Sequence, residues 1–138
     1  MPFLERLAAD LREAGARDEA LGAFDPGGRM LGVVPRLPRI RPLGRVWRLG
    51  EYLLTPDGTL LRVGRVVRVA GTDRRRSVMA VAATEHHELA LAARRGGFAE
   101  GETVNFDAAP LAAGVLDPAL ERYLADRAEL LIHPPEGA

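Results

Sequence analysis

The feature that most restricts the fold of this chain is a β-hairpin signature near its centre. Two runs rich in apolar and β-forming residues, 45–55 and 60–69, flank the tetrapeptide Pro56-Asp57-Gly58-Thr59. Asp-Gly pairs adopt the tight turns that join antiparallel strands, and a proline before the pair presets the turn. The sequence therefore predicts two adjacent antiparallel strands and a sheet built around them.

Alternation along the two runs separates two faces. The odd-numbered positions, which we interpret as the core face, carry Trp47, Leu49, Leu53, Leu61, Val63, Val67 and Val69. The even-numbered positions mix Arg48, Arg62 and Arg68 with apolar side chains, so we expect the face they form to be partly exposed. Gly64 interrupts the second run and indicates a bulge or a close approach of another backbone.

The N-terminal region predicts a helix followed by shorter elements. Apolar side chains recur at the i, i+3 and i+4 spacing of one helical face over residues 2–14, and Gly15 ends or interrupts this amphipathic helix. We expect a short helical turn at 18–24, a tight turn at 25–28 and a short strand at 29–34.

Three prolines at intervals of three or four residues follow within residues 35–42. Because proline fixes φ and has no N–H to donate, it is disfavoured in helix interiors and central strands. We therefore predict an extended arm that crosses the surface, with Leu37 and Ile40 directed inward.

Two further helices and a strand are expected in the C-terminal half. Thr84 is predicted to cap a helix that runs to Arg95, with acidic residues near its start and two glycines as its stop. Residues 103–106 form a candidate strand, and Asp117-Pro118 is a typical start for a last helix that ends before His133. These elements predict a single α+β domain over residues 1–138, in which a mostly antiparallel β-sheet with a central hairpin is packed by an N-terminal, a middle and a C-terminal helix.

Composition excludes several classes of protein. The chain has no cysteine, which excludes a disulfide framework and a zinc ribbon. Its longest purely apolar run, residues 78–83, is far shorter than the roughly 20 residues that a membrane-spanning helix needs. Residues 1–10 contain acids rather than the basic and apolar regions of a secretory signal. We therefore expect a cytoplasmic protein that does not associate with a membrane.

Charge is distributed unevenly along a chain whose formal net charge is zero. The 19 basic residues, all of them arginine, match 19 acidic residues. By segment, residues 1–28 carry −3, residues 29–76 carry +9 and residues 77–138 carry −6. Folding either pairs the basic middle with the acidic ends or leaves it exposed as a basic surface.

An exposed basic surface would favour binding of RNA or DNA. The candidate phosphate contacts in this segment are Arg62, Arg65, Arg68, Arg74, Arg75 and Arg76. Aromatic stacking platforms are few, since residues 29–76 offer only Trp47 and Tyr52. The alternative is that these arginines lie in a solvated loop or pair with the acidic terminal helices.

Groups that could catalyse a reaction are scarce. The best candidate for proton transfer is Glu85-His86-His87-Glu88, because histidine titrates near neutral pH and a carboxylate can orient it. Consecutive residues of a helix point about 100° apart, so the two histidines do not readily bind the same metal ion. The alternative is that these four residues are only polar surface side chains of a helical turn. With no cysteine or lysine and Ser77 as the only serine, most covalent mechanisms are excluded. We predict no catalytic residue, no metal site and no cofactor.

Four segments carry a resemblance to a known family. They are GRMLGVVP (28–35), VWRLG (46–50), RGGFAEGETV (95–104) and residues 120–135. Over most of its length the chain resembles a family of short uncharacterised actinobacterial proteins, some of which are labelled glutaminase. Serine-dependent glutaminases need a Ser-x-x-Lys pair, which a chain without lysine lacks.

If that family has a functional surface, we expect it at residues 95–103. Glycines at three positions there allow close approach of another molecule to the backbone. The candidate binding residues are Arg94, Arg95, Glu100 and Glu102. The alternative is that the segment is only a helix stop and a loop into the next strand.

Three functional hypotheses follow. The leading one is a non-enzymatic binding or interaction protein that forms a homo-oligomer or binds a protein partner, because an apolar core occurs without recognisable catalytic groups. The second is nucleic-acid binding through residues 29–76. The third is a small hydrolase or isomerase that uses His86 or His87 with Glu88 or Glu102.

Overall fold

The computed structural model of the protein describes residues 2–30, 34–69, 81–111 and 116–135. These residues form the helices α1 (Phe3–Glu13), α2 (Val81–Arg95) and α3 (Pro118–Ile132). Their strands are β1 (Glu19–Asp25), β2 (Gly28–Met30), β3 (Val34–Arg36), β4 (Arg39–Leu49), β5 (Tyr52–Leu54), β6 (Leu60–Arg62), β7 (Arg65–Arg68), β8 (Thr103–Phe106) and β9 (Ala109–Pro110).

The main sheet has seven strands in the order β7-β8-β1-β4-β5-β6-β9. Strands β1 and β8 run parallel, whereas β7 with β8, β4 with β5, β5 with β6 and β6 with β9 are antiparallel. Strands β2 and β3 form a separate antiparallel pair. The α+β fold with a mostly antiparallel sheet is thus confirmed.

The chain divides into two compact units. The first unit consists of Met1–Glu19, Arg45–Val63 and Ala108–Ala138, and the second consists of Ala20–Gly44 and Gly64–Asp107. Strand β4 passes from the second unit into the first. Each unit has an apolar core of its own.

The core of the first unit lies between α1, α3 and the strands that surround the predicted turn. Its buried residues are Leu7, Ala8, Leu11, Trp47, Leu49, Leu54, Leu60, Leu124 and Ala128. The predicted N-terminal helix is confirmed, and it ends at Gly15, whose φ of +63° favours glycine. The cap of α3 is also confirmed, because Oδ1 of Asp117 accepts a 2.8 Å hydrogen bond from the backbone N–H of Leu120.

The core of the second unit lies between α2 and strands β1, β7 and β8. Its buried residues are Ala20, Ile40, Val67, Val69, Ala90, Ala92, Ala93, Val104 and Phe106. Asn105 is fully buried beside them, and its amide nitrogen donates a 3.2 Å hydrogen bond to the Ala20 carbonyl. This bond joins β8 to β1, so the buried amide helps to fix the register of the parallel pair.

The central hairpin is confirmed for β5 and β6, whereas β7, the second half of the predicted run 60–69, pairs with β8 instead. The first half of the hairpin contains a second turn. The backbone N–H of Thr55 donates to the carbonyl of Thr59 across the predicted turn, which joins β5 to β6. Gly50, with φ +68°, forms a further turn between β4 and β5, so the run 45–55 is two strands rather than one. A side chain at Gly50 would collide with the phenol of Tyr123, whose oxygen accepts a hydrogen bond from the Glu51 N–H.

The assignment of faces in the hairpin holds only in part. Five residues of the expected core face are buried, and Leu61 and Val63 are half-buried. Three even-numbered residues, from the face expected to be partly exposed, are buried too: Val46, Leu54 and Leu60. These strands therefore bury side chains on both faces. The expected close approach at Gly64 is confirmed, because a side chain there would meet the Asp107 carbonyl.

The helical turn predicted at 18–24 is wrong, because these residues form most of β1. Side-chain burial alternates along its first half, and Ala20 and Gly22 occupy the buried positions. A side chain at Gly22 would lie 2.5 Å from the Ile40 side chain. Close packing against a neighbouring strand therefore overrides the weak strand propensity of alanine and glycine.

The extended arm predicted at 35–42 is also wrong in part. Strand β4 begins at Arg39 and includes Pro42, and Leu37 is 66% exposed, although Ile40 is buried as expected. Strand β5 pairs with β4 through Trp47–Leu49, so Pro42 lies beyond this pairing and its missing N–H costs no bond to β5. The strand predicted at 29–34 is replaced by β2 and β3, with residues 31–33 outside the described part of the chain.

The middle helix starts earlier than the sequence predicted. Helix α2 spans Val81–Arg95, so Thr84 lies inside it and is not its cap. Its first turn contains no acidic residue, whereas Arg94 and Arg95 occupy the last turn as expected. Alanine is the strongest helix former, and the Ala82-Ala83 pair explains the extension toward the N-terminus.

Candidate binding site

A pocket of about 270 Å³ opens in the second unit beside α2. We call it the α2 pocket, and its lining residues are Phe24, Pro38, Arg65, Glu85, Glu88, Leu89 and Ala92. They come from β1, β7, α2 and the connection before β4, so four separate segments build the pocket.

The floor of the α2 pocket is apolar. Ala92 is fully buried, and Phe24 and Leu89 are half-buried against the core of the second unit. The ring of Phe24 lies 6.2 Å from that of Phe106, centroid to centroid. A ligand on this floor would therefore contact the same apolar surface that stabilises the unit.

Pro38 is fixed at the pocket by the end of α2. Its carbonyl accepts a 2.9 Å hydrogen bond from Nη1 of Arg95. Close by, a side chain at Gly96 would collide with the Ile40 carbonyl, so the end of α2 packs directly against the backbone of β4. These two contacts hold one wall of the pocket in place.

The charged side chains of the lining differ in whether they contact another charged or aromatic side chain. The guanidinium of Arg65 lies 5.0 Å from the centre of the Phe106 ring, and its Nη1 lies 3.9 Å from the Asp107 carboxylate. Glu85 and Glu88 are exposed, three residues apart on one face of α2, and form no ion pair with any described residue. Within the described part of the chain, two carboxylates of the rim therefore have no ion-pair partner, whereas its arginine has one.

The histidine cluster predicted from the sequence is divided by this arrangement. Glu85 and Glu88 line the α2 pocket, but His86 and His87 do not. Glu102 is also absent from the lining, and its Oε2 accepts a 3.1 Å hydrogen bond from the N–H of Ala99. The pocket therefore holds the carboxylates of the cluster without its histidines.

The arginines proposed to bind phosphates lie in different surroundings. Arg62, in the first unit, has its guanidinium 5.6 Å from the centre of the Tyr52 ring. Arg68, in the second unit, donates a 3.1 Å hydrogen bond from Nε to the Gly101 carbonyl. Arg74, Arg75 and Arg76 lie outside the described residues.

Among the described residues, five ion pairs join the basic segment 29–76 to acids outside it. They are Arg36–Asp25 (3.2 Å), Arg39–Asp25 (4.0 Å), Arg45–Asp18 (2.8 Å), Arg48–Glu19 (3.1 Å) and Arg65–Asp107 (3.9 Å). The acids belong to β1 and to connections, whereas one of the alternatives left open by the sequence placed them in the terminal helices. Much of the opposed charge along the chain is therefore matched locally, at the strands.

Asp25 is the acid that two of these arginines share. The N–H of Gly27 donates a 3.0 Å hydrogen bond to its carboxylate and lowers the pKa of this group. Arg36, Arg39 and Arg41 lower that pKa further through their positive charge.

The Gly-rich segment 95–103 ends α2 and connects it to β8. The backbone of Glu102 accepts a 2.9 Å hydrogen bond from Val69, and Gly101 donates one of 3.0 Å to the Val69 carbonyl, which ties the segment to the end of β7. Gly97, with φ +96°, ends α2. Arg94 and Glu100 are exposed there. The arrangement matches a helix stop and a loop into β8, and a functional surface at this segment stays a prediction.

A second pocket, of about 360 Å³, lies in the first unit beside α1 and α3. It is lined by Phe3, Arg6, Leu7, Ala9, Asp10 and Ala125. Arg6 and Asp10 lie one helical turn apart and carry opposite charges. This pocket therefore has no net charge with which to select a ligand, unlike the α2 pocket.

Neither a metal-binding cluster nor a membrane-spanning helix occurs in the described part of the chain. No three His, Asp or Glu side chains there come together in a way that could hold a metal ion. None of the described helices has the length and apolar character needed to cross a membrane.

Most of the α2 pocket was not anticipated from the sequence. Phe24 belonged to a segment expected to turn as a helix. Arg65 could have been noticed in the sequence, because it is an arginine at an odd-numbered position, where this run otherwise has apolar residues of the expected core face. Comparison with known proteins adds no assignment: no protein-family model matches the chain, and neither curated proteins nor solved structures give a match.

Proposed function

We propose that this protein acts by binding another polypeptide chain rather than by catalysis, and that the α2 pocket receives an apolar side chain of that partner. The observation that supports this proposal is the apolar floor of Phe24, Leu89 and Ala92, open at the surface beside charged groups. Concave apolar sites with a few polar groups at the edge are the usual form of ligand sites.

The pocket has room for one large apolar side chain. Its volume of about 270 Å³ lies near the lower end of the roughly 300–1,000 Å³ typical of small-molecule sites. One large apolar side chain that enters such a pocket gains about 1.5–3 kcal/mol from burial. This free energy can fix one point of an interface, but further contacts around the pocket are needed to keep the two chains bound.

The charged lining favours recognition over chemistry. Both carboxylates of the pocket are exposed to solvent, whereas catalytic acids and bases are commonly desolvated beside a specific partner. Among the described lining residues there is no histidine or hydroxyl that could relay a proton. A hydrolase or isomerase would have to use groups outside this lining.

The test compares capture of partners by matched variants. Leu89→Gln places a polar group on the floor of the α2 pocket, and Leu130→Gln makes the same change at a residue that is 49% exposed on α3. We expect the wild type and Leu130→Gln to retain the same bound chain, identified by mass spectrometry, and Leu89→Gln to lose it.

The fold of each variant is checked by circular dichroism before capture. A partner held equally by all three proteins would contradict the proposal, because the pocket would then contribute nothing to binding. Turnover of a small ester or amide that disappears in a His87→Ala variant would contradict its non-enzymatic part.

A further inference from the structure

The charged residues around the α2 pocket have an excess of negative charge. Glu85 and Glu88 line it, and Arg65 is balanced by the nearby Asp107 carboxylate. Counted with Arg95, which bonds to the Pro38 carbonyl of the wall, three carboxylates and two guanidiniums give the described part of this rim a net charge of −1. An occupant that brings positive charge is therefore favoured over a neutral or an acidic one.

The same unit presents an apolar side chain with positive charge around it. Leu37 is the most exposed large apolar residue in the described part of the chain, at 66%. Arg36 and Arg39 flank it, and both approach Asp25, on which Arg41 also acts. Three arginines and one carboxylate give this surface, which we call the Leu37 patch, a net charge of +2.

The Leu37 patch and the α2 pocket adjoin along the chain. Pro38, which lines the pocket, follows Leu37, and Phe24, also in the lining, precedes Asp25. Two adjoining surfaces of opposite charge, one with a protruding leucine and the other with an apolar cavity, are self-complementary. A twofold axis close to them brings each patch onto the pocket of the other copy.

We propose that the occupant of the α2 pocket is Leu37 of a second copy of this chain, in a twofold dimer. This inference rests on the proposed function, since it names the partner of the same pocket. Leu37 enters the apolar floor of the partner copy, and Arg36 and Arg39 meet the partner's Glu85 and Glu88. Each dimer contains the contact twice.

Charge exchange followed by sedimentation velocity tests the dimer. One variant carries Glu85→Arg and Glu88→Arg, and the other carries Arg36→Glu and Arg39→Glu. Each variant alone brings like charges together at both contacts, so we expect a roughly hundredfold weaker dimerisation constant, about tenfold per contact. In an equimolar mixture opposite charges meet at both contacts, and the dimer is expected to return.

Recovery in the mixture cannot arise from misfolding, because two misfolded chains would not restore a defined dimer. A mixture that remains monomeric while the wild type is dimeric overturns the inference. So does a wild type that sediments as a monomer at about 1 mM, where even weak specific association is visible.

A second arm tests the leucine itself. Leu37→Gln keeps the surrounding arginines and removes the apolar anchor, and Leu130→Gln again serves as the matched control. We expect Leu37→Gln to weaken dimerisation by about tenfold or more, with Leu130→Gln unchanged. Equal dimerisation of both variants would overturn the role of Leu37. A monomeric wild type that still captures another protein through Leu89 would overturn only this inference and leave the proposed function standing.

Discussion

The two units of this protein build their cores from different side chains. Six leucines and Trp47 dominate the nine buried core residues of the first unit, whereas four of the nine in the second are alanine. Large side chains fill space by their own bulk, but small ones stabilise a core only when backbones approach closely. We infer that the first unit is most sensitive to shortened side chains and the second to added atoms.

The largest effect is expected from shortening a core residue in the first unit. Leu124 on α3 is fully buried, and Leu124→Ala removes its contacts and leaves a cavity. We expect the free energy of unfolding in urea to fall by about 2–5 kcal/mol. Leu130→Ala, on the exposed face of the same helix, is expected to change it by less than about 0.5 kcal/mol. Similar losses for both would show that α3 does not supply this core.

The next effect comes from adding a methyl group in the second unit. In Gly96→Ala the new Cβ would collide with the Ile40 carbonyl where α2 meets β4. Overpacking of this kind costs about 1–3 kcal/mol. Ala119→Leu, an addition at an exposed position of α3, is expected to cost less than about 0.5 kcal/mol. Urea unfolding of both variants measures the difference, and an unchanged Gly96→Ala protein would contradict the close approach.

The same contrast explains which elements could be predicted from the sequence. In the first unit, leucines at helical spacing, the Asp117 cap and the Asp57-Gly58 turn are local signals, and each marked its element correctly. In the second unit, β1 contains Ala20 and Gly22, which have weak strand propensity and are ordered by contact with Ile40. Close packing between distant segments leaves no local pattern to detect.

The candidate site was predictable only for its charged helix face. Glu85 and Glu88 stand out in the sequence, but their spacing associates them with His86 and His87 rather than with a pocket. Their actual neighbours, among them Phe24 and Arg65, come from other segments of the chain. Only the topology of the second unit brings these residues together, so spacing in the sequence could not show them.

A smaller effect is expected on the affinity for nucleic acid, because several arginines of the chain already form ion pairs with carboxylates. Because five ion pairs engage arginines in the described part of residues 29–76, we expect only weak binding to a single-stranded oligonucleotide at low salt. Substitution of Arg74, Arg75 and Arg76 by alanine is expected to change that affinity by less than about threefold, measured by fluorescence anisotropy. Tight binding with a steep salt dependence, lost in the triple variant, would favour the nucleic-acid hypothesis instead.

The smallest effect distinguishes two carboxylates, one in each unit. Hydrogen bonds from Thr55 and Thr59 lower the pKa of Asp57 in the first unit, whereas Asp25 in the second unit combines a bond from Gly27 with the charge of nearby arginines. Salt screens charges more than hydrogen bonds. We therefore expect NMR titration to find both pKa values below 3.8, with added salt raising that of Asp25 more.

These lowered pKa values have a defined consequence for stability. A carboxyl whose pKa is lower in the folded chain stabilises that chain above its ordinary pKa, and the contribution is lost as the pH falls through the folded value. Asp25→Asn and Asp57→Asn are each expected to flatten the loss of stability below about pH 4. Identical responses to salt for the two groups would remove the proposed difference between them.

Amide hydrogen exchange tests most directly the claim that the second unit carries the binding surface. Exchange is measured on the wild type at a low and a high protein concentration. The account predicts that protection at high concentration increases around Phe24, Leu37 and Leu89, and that α1 and α3 do not change. Increased protection at Leu7 and Ala125, beside the pocket of the first unit, with none at Leu37 or Leu89, would contradict it.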